Sequence, residues 1–329
     1  MARDFAVSRL TVRHAVGNLV HQGILSRVQG RGTFFLGSGG EQVPTRMIGV
    51  IVTYINDYIF PSIIRGLQER LDAEGYAILL FGTGNDPAKE ATAVETVLRR
   101  QVDGLIIEPT RSMLPSPNLE RFRSLVGSGF PLVMVHATYD DLPGVSVEVD
   151  DVGGGEAVAN HLADLGHRRI GEIIKMDDKQ GSRRLQGVLN GLTHQGIPFD
   201  AAWCQFFTTE TKRVVARRYA ERLDETPVAE RPSAVICYND EIAVDLIQYL
   251  YALGLRVPED VSIAGFDDSD LARAVPVGLT TVVHPKVAMG ERLAELVLAR
   301  VHGCSPEAVV FPATLVARGS TIGLKVVHN

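Results

Sequence analysis

Short apolar runs alternate with amphipathic segments over most of the chain. MIGVIVTY (47–54), YAILLFG (76–82), DGLIIEP (103–109) and PLVMVHA (131–137) read as buried strands. RRIGEIIK (168–175), QFFTT (205–209), SAVICYN (233–239) and VSIAGFD (261–267) form a second set. Helical segments lie between them, among them PSIIRGLQERLDAEG (61–75) and DEIAVDLIQYLYALG (240–254). Eight strands at roughly 25–35-residue spacing, in two groups of four, predict two doubly wound parallel sheets. Residues 47–329 exceed what one compact layer usually holds, which points to two lobes. In such sheets ligands bind beyond the carboxyl ends of the strands. The polar residues gather there: Glu108, His136, Lys175, Asn239 with Asp240, and Asp267 with Asp268. The expected site is therefore a cleft between two α/β lobes, suited to a small polar molecule.

The first 36 residues carry a different pattern. Ser8 is a good helix N-cap, and Val12, Ala15/Val16 and Leu19/Val20 then recur at helical spacing, which predicts one buried face. Arg9 and Arg13 stand one turn apart on another face, together with His14. After Gly23, the run ILSRVQGRGTFFL predicts two short strands around Gln29, Gly30, Arg31 and Gly32, a tight basic tip. Residues 1–36 hold five Arg against one Asp, whereas the whole chain has a net charge of −6. A basic end on an acidic body is the layout of a small nucleic-acid-binding head on a larger domain. Residues 37–46, GSGGEQVPTR, read as the linker.

Composition narrows the setting. At 45% hydrophobic residues the chain is that of a soluble globular protein, and no apolar run approaches the ~20 residues of a membrane span. No signal segment is recognised ahead of the body. Cys204, Cys237 and Cys304 are scattered and are expected to be buried thiols in a reducing compartment, which implies the cytoplasm. Catalytic templates are missing: there is no GxSxG, HExxH or P-loop, and no cofactor is expected. Gly82-Thr83-Gly84 reads as a strand-end turn rather than a dinucleotide site, and His161 and His167 as solvated or capping residues rather than ligands. Asp177-Asp178 and Asp267-Asp268 are adjacent in sequence, and strand neighbours point to opposite faces, so neither pair promises an acid/base couple. Binding fits better than catalysis.

SRLTVRHAV followed by GILSRVQGRGTFF closely resembles the winged helix-turn-helix of the GntR regulators. The resemblance implies major-groove contacts from Ser8, Arg9, Thr11, Arg13 and His14, and wing contacts from Gln29, Gly30, Arg31, Gly32 and Thr33. It also implies a first helix and most of a second upstream of residue 5, so the head is expected to be N-terminally incomplete. In the body, TVLRRQVDGLIIEPT, DDVGGGEAVANHLADLGHRRIGEI, RPSAVICYNDEIAVDLI and VPEDVSIAGFDDSDLA resemble the two-lobed, periplasmic-binding-protein-like effector domain of LacI/GalR regulators. A GntR-type head on a LacI/GalR-type body is similar to the bacterial arabinose-responsive repressors. IIEPTRS, KMDDKQGSRRLQG, CYNDEIA, GFDDSDLA and TVVHPK carry that likeness.

The resemblance implies operator DNA as partner, a sugar effector with L-arabinose foremost, and a homodimer without membrane attachment. Hydrogen bonds to the sugar are expected from Lys175, Arg184, Asn239 and Asp267, with Glu108 and His136 at strand ends; His136 stands where an amide would be expected. Tyr58, Phe60 and Tyr238 are the candidate stacking faces. Three crossovers near 146–150, 282–284 and 311–313 would divide residues 47–329 into lobe one (47–147 and 284–310) and lobe two (148–282 and 311–329). The alternatives are a repressor of this architecture answering to another sugar, and a sugar-binding protein without a DNA role. A sugar-processing enzyme is a third reading, which lacks a nucleophile or base.

Overall fold

The computed structural model describes residues 8–21, 25–28, 32–35, 44–56, 59–139, 142 and 144–324. Its body holds two six-stranded sheets. Sheet one contains β3 (Met47–Val52), β4 (Ala77–Gly82), β5 (Gly104–Ile107), β6 (Leu132–Val135), β7 (Val145–Val149) and β13 (Val309–Phe311). Sheet two contains β8 (Ile170–Lys175), β9 (Cys204–Phe207), β10 (Ala234–Cys237), β11 (Ser262–Asp267), β12 (Thr280–Val283) and β14 (Leu315–Val316).

The prediction of four strands per sheet was two short on each side. VSVEV (145–149) and TTVV (280–283) are short and rich in small or polar residues, so they lack the dense apolar run that marked the others. β13 and β14 are edge strands of three and two residues. β14 also pairs antiparallel with β12, so sheet two is mixed rather than wholly parallel.

The strand orders match. Sheet one runs β4-β3-β5-β6-β7-β13 and sheet two β9-β8-β10-β11-β12-β14, so in each the first strand is central and the second lies beside it at the edge. The topological switch point falls between β3 and β5 in one sheet and between β8 and β10 in the other. Crevices open at such points, beyond the carboxyl ends of the strands.

Helices cover both faces. In lobe one, α2 (Phe60–Ala73) and α10 (Lys286–Val301) bury Ile63, Leu67, Leu71, Leu293 and Val297 on one face. On the other face lie α3 (Pro87–Arg99) and α4 (Leu119–Gly127), with Val94, Val97 and Phe122. In lobe two, α5 (Asp151–Asp164) and α6 (Lys179–His194) face α7 (Lys212–Glu225) and α8 (Asp240–Ala252) across the sheet. Both helix pairs nearest the lobe junction pack backbone to backbone. A Cβ on Gly187 would lie 1.9 Å from the Val152 carbonyl oxygen, and one on Gly290 2.0 Å from that of Ile63.

The chain passes between the sheets three times: from β7 into α5, from β12 into α10, and from β13 to β14. The short helix α9 (Asp270–Ala274) and a 3-10 turn at Ala201–Trp203 complete lobe two. Among the described residues no helix is long and apolar enough to cross a membrane. Cys204 and Cys237 are buried, but Cys304 is exposed, because it follows the end of α10 at the surface.

At the N-terminal end, α1 (Arg9–His21) starts as its cap predicts: the Thr11 amide donates to Ser8 Oγ at 3.1 Å. β1 (Leu25–Val28) and β2 (Gly32–Phe35) pair antiparallel, so Gly32 belongs to the second strand, opposite Val28. Val12, Val16, Leu19 and Val20 are half-buried and Ala15 is exposed, a shallower face than the sequence pattern predicts.

Candidate effector cleft

A cavity of about 780 Å³, mouth included, opens between the carboxyl ends of the two sheets. Glu108, His136, Lys175, Arg184, Tyr238, Asn239, Asp267 and Phe60 all line it. Tyr58, Gln29, Gly30 and Arg31 lie outside the described residues, as does the side chain of Arg9. In α1, Thr11, Arg13 and His14 are exposed, as are Gly32 and Thr33 in the hairpin.

Lobe one contributes at its switch point. Thr53 follows β3 and Glu108 follows β5, so they meet side by side. Glu108 Oε2 accepts from the Thr53 amide at 2.7 Å and also from the Thr53 hydroxyl. Glu108 Oε1 lies 3.0 Å from His136 Nδ1. His136 follows β6 with φ of +66°, a left-handed conformation that turns its ring toward Glu108. Phe60, the first residue of α2, meets the His136 ring edge to face at 5.7 Å.

Lobe two contributes two buried cations. Lys175 ends β8; its Nζ donates to Asp178 Oδ2 at 2.8 Å and lies 3.6 Å from Asp177 Oδ1. Burial opposes the ammonium charge, but Asp178 and Asp177 outweigh it and hold Lys175 protonated well above its ordinary value. Burial likewise acts against the Asp178 charge and is outweighed by Lys175, so Asp178 stays below the ordinary carboxylate value. Asp178 also caps α6 by accepting from the Gly181 amide at 2.8 Å. That approach demands glycine, since a Cβ on Gly181 would sit 1.9 Å from the Lys175 carbonyl oxygen.

Arg184 projects from the second turn of α6. Its Nε donates to Asp151 Oδ1 at 2.8 Å and its Nη1 to the Tyr238 carbonyl at 2.6 Å, while Nη2 lies 3.6 Å from Asp267 Oδ1. The guanidinium stacks over Phe266 at 4.5 Å and Tyr238 at 5.0 Å. Burial disfavours this charge too, and Asp151 and Asp267 overcome it. A surface salt bridge on a helix, the plain alternative for an Arg in this pattern, is ruled out: Arg184 is 3% exposed.

Several residues that line the cleft carry no conspicuous signal in the sequence. Thr53, Asn85, Ser112, Gln180 and Lys212 come from loops and helix starts past strands and Phe207 ends β9, and position at or after a strand end is the one clue they offer. Adjacency along a strand would point Asp177 and Asp178 to opposite faces. They lie beyond the end of β8, and both approach the Lys175 ammonium. Tyr238 is half-buried; its hydroxyl donates to Asp178 Oδ2 at 2.7 Å, so its ring is held rather than free. Asn239 Oδ1 accepts from the Ile242 amide at 3.0 Å and caps α8. Asp240 does not reach the cavity: Ser269 and Thr281 donate to it in the core of lobe two. His161 and His167 hydrogen-bond far from the cleft, to Thr321 and to Ser233 with the Ile322 carbonyl.

The rim is bridged across the lobes. Asn85 Nδ2 reaches Thr209 Oγ1 at 2.7 Å and Asp177 Oδ2 at 3.2 Å, and the Lys179 amide donates to Ser112 Oγ at 2.9 Å. Arg111 pairs with Glu210. Paired charges, hydroxyls and aromatic faces around one cavity are the equipment for holding a polyol.

Comparison with known proteins agrees with this architecture. Residues 159–321 match the periplasmic binding protein-like domain family. The chain is 40% identical over 325 residues to the arabinose metabolism transcriptional repressor of Geobacillus stearothermophilus, spanning 98% of this chain and 89% of that protein. It is 37% identical over 337 residues to the repressor of the same name in Halalkalibacterium halodurans, covering 99% and 90%. Among solved structures, the transcription regulator CcpA of Lactococcus lactis superposes with a TM-score of 0.73 at 25% identity, covering 84% of this chain and 98% of that one. These relatives are transcription regulators, not enzymes.

Proposed function

This chain belongs to the family of the arabinose metabolism transcriptional repressors, sugar-responsive and non-enzymatic, and on that footing we propose that L-arabinose binds its cleft and releases it from operator DNA. The observation that carries the reading is the ring of paired charges, Lys175, Arg184, Asp267 and Glu108, around a cavity between two lobes. Such groups present fixed donors and acceptors to hydroxyls, and Phe60 and Tyr238 offer apolar faces to the C–H surface. Tyr58 joins them in this reading.

The head is a winged helix-turn-helix in this proposal. Its recognition helix uses Ser8, Arg9, Thr11, Arg13 and His14, and its wing uses residues 29–33. The capped α1 with Thr11, Arg13 and His14 exposed, and the β1–β2 hairpin behind it, support that assignment. We take the working form to be a cytoplasmic homodimer on a pseudo-palindromic operator. The lobes divide after β7, β12 and β13, a few residues from the bounds the sequence suggests, since β7 runs to Val149 and β13 to Phe311 within sheet one. Sugar favours one lobe arrangement over another, a coupling of typically ~1–3 kcal/mol.

The test pairs two measurements. L-arabinose raises the melting temperature, in line with about 2.7 kcal/mol of stabilisation at 100 times Kd, whereas D-glucose and D-ribose do much less. A gel shift with the native upstream region loses its retarded band on adding L-arabinose. An equal or larger melting shift with a hexose overturns the arabinose assignment.

A further inference from the structure

His284 sits where the chain crosses from β12 into α10, directly behind the cleft, and is 4% exposed. Its Nε2 lies 3.0 Å from His136 Nε2, and the two rings meet edge to face at 5.1 Å. Two nitrogens at that separation share one proton, so one ring donates and the other accepts. Glu108 decides the order. An ionised Glu108 accepts at both oxygens, Oε2 from the Thr53 amide and hydroxyl and Oε1 from the His136 ring. His136 Nδ1 must then carry the proton that reaches Glu108 Oε1. In the neutral ring this leaves His136 Nε2 as an acceptor, and His284 Nε2 as the donor.

That order strips the proton from His284 Nδ1, which is buried and has no hydrogen-bond partner among the described residues. A second orphan lies close by in the fold. Asp151 Oδ2 is buried and unpartnered, although its sister Oδ1 accepts from Arg184. Both His284 and Asp151 line one small pocket behind the main cleft at the lobe junction, with space on the scale of a single water. Two buried orphan acceptors on residues that line one pocket call for a single occupant with two donors, and a buried water with its two O–H groups meets that need.

We propose that His284 is a positioning residue for the effector cleft: it donates from Nε2 to His136, orienting Glu108, and shares one buried water with Asp151 through Nδ1. The relay then runs Glu108–His136–His284–water–Asp151–Arg184. It joins the carboxylate that lobe one presents to the cleft to the guanidinium that lobe two presents, through the crossover rather than across the cavity. Burial, and after it the Lys286 and Arg184 cations, hold His284 neutral, as the donor order requires.

The inference rests on the cleft being the L-arabinose site, and its test separates the two claims. In the full-length protein labelled with 15N, ring correlations in the absence of sugar should identify His136 as the Nδ1–H tautomer and His284 as the Nε2–H tautomer. A crystal structure that resolves waters should show one within hydrogen-bond distance of His284 Nδ1 and Asp151 Oδ2. His284→Leu should weaken L-arabinose binding by ~10-fold in calorimetry, and His284→Gln, which keeps a donor in the Nε2 position, should restore it to within ~3-fold. His284→Asn keeps a polar group only on the cavity side and should resemble the Leu variant. An Nδ1–H tautomer at His284, an apolar empty cavity, or rescue by Asn and not by Gln would each overturn the proposal. If the Leu variant fails to fold, the tautomers of the wild type and the Gln–Asn pair still decide it. If wild type does not bind L-arabinose, the effector assignment fails, while the tautomer and water measurements stand.

Discussion

The two lobes share a strand order but face the cleft with opposite strategies. Lobe two presents Lys175 and Arg184, both buried and each held between carboxylates: Asp177 and Asp178 for one, Asp151 and Asp267 for the other. Lobe one presents a carboxylate, Glu108, satisfied by Thr53 and His136. The contrast continues below the surface. Lobe one's buried Glu90 accepts from the Thr110 amide, the Tyr139 hydroxyl and the Asn118 amide group. Lobe two's buried Glu172 has no hydrogen-bond partner on either oxygen among the described residues. Lobe two therefore stores its electrostatic cost in the fold itself. Its half of the site is built on buried ion pairs, whereas lobe one's Glu108 is held by hydrogen bonds from Thr53 and His136. Buried ions repay their desolvation only while every partner is present, so lobe two should be the more fragile half.

The sharpest way to break the comparison is at Asp151. Asp151→Ala leaves the Arg184 guanidinium buried with Asp267, 3.6 Å away, as its one remaining carboxylate among the described residues, and should cost ~3–5 kcal/mol of stability in urea unfolding. Glu108→Gln, which keeps acceptors for Thr53 in lobe one, should cost much less in the same titration. Comparable losses would mean that the lobes do not differ.

Glu172 sharpens it through pH. Burial, aided by Asp200, pushes this carboxyl up to about 8, against an ordinary 4.5. The folded state thus holds the proton more tightly than the unfolded one. The associated stability is complete below pH about 4.5 and is lost as pH rises through about 8. Glu172→Gln should flatten that loss and be the more stable form at pH 9, by roughly a few kcal/mol from the linkage. Melting curves from pH 5 to 9 that run parallel for both proteins would place the charge elsewhere.

Next in size is the sugar contact itself. Asp267→Ala should abolish the response to L-arabinose in calorimetry, through loss of charged hydrogen bonds worth ~1.5–3 kcal/mol. Arg184→Ala reads less cleanly than its sequence context promises. Removing it leaves Asp151 and Asp267 facing each other, so lost binding would come with lost stability.

The smallest effect belongs to the rim. Arg111 and Glu210 bridge the lobes, but their side chains are 29% and 55% exposed. Solvent screening holds such a pair to under ~1 kcal/mol, so Arg111→Ala should shift sugar affinity by less than about fivefold. A larger shift would make the rim, and not lobe two's cation pairs, the main clamp.

Local pattern determined much of this protein by itself. Dense apolar runs such as GVIV and GLII announced strands, because a fully buried parallel strand must be hydrophobic on both faces. Strand-end position alone picked out Glu108, His136, Lys175, Asn239 and Asp267, since parallel sheets open their crevices at that end. Pattern could not reveal β7, β12 and the two edge strands, whose residues are too few or too polar to stand out until neighbours supply the pairing. Nor could it show that Asp177 and Asp178 converge on one ammonium, that Arg184 is buried among carboxylates, or that His284 lies against His136. Those contacts join residues as much as 148 positions apart, so no local period encodes them. They exist only once three crossovers have brought the carboxyl ends of two separate sheets together.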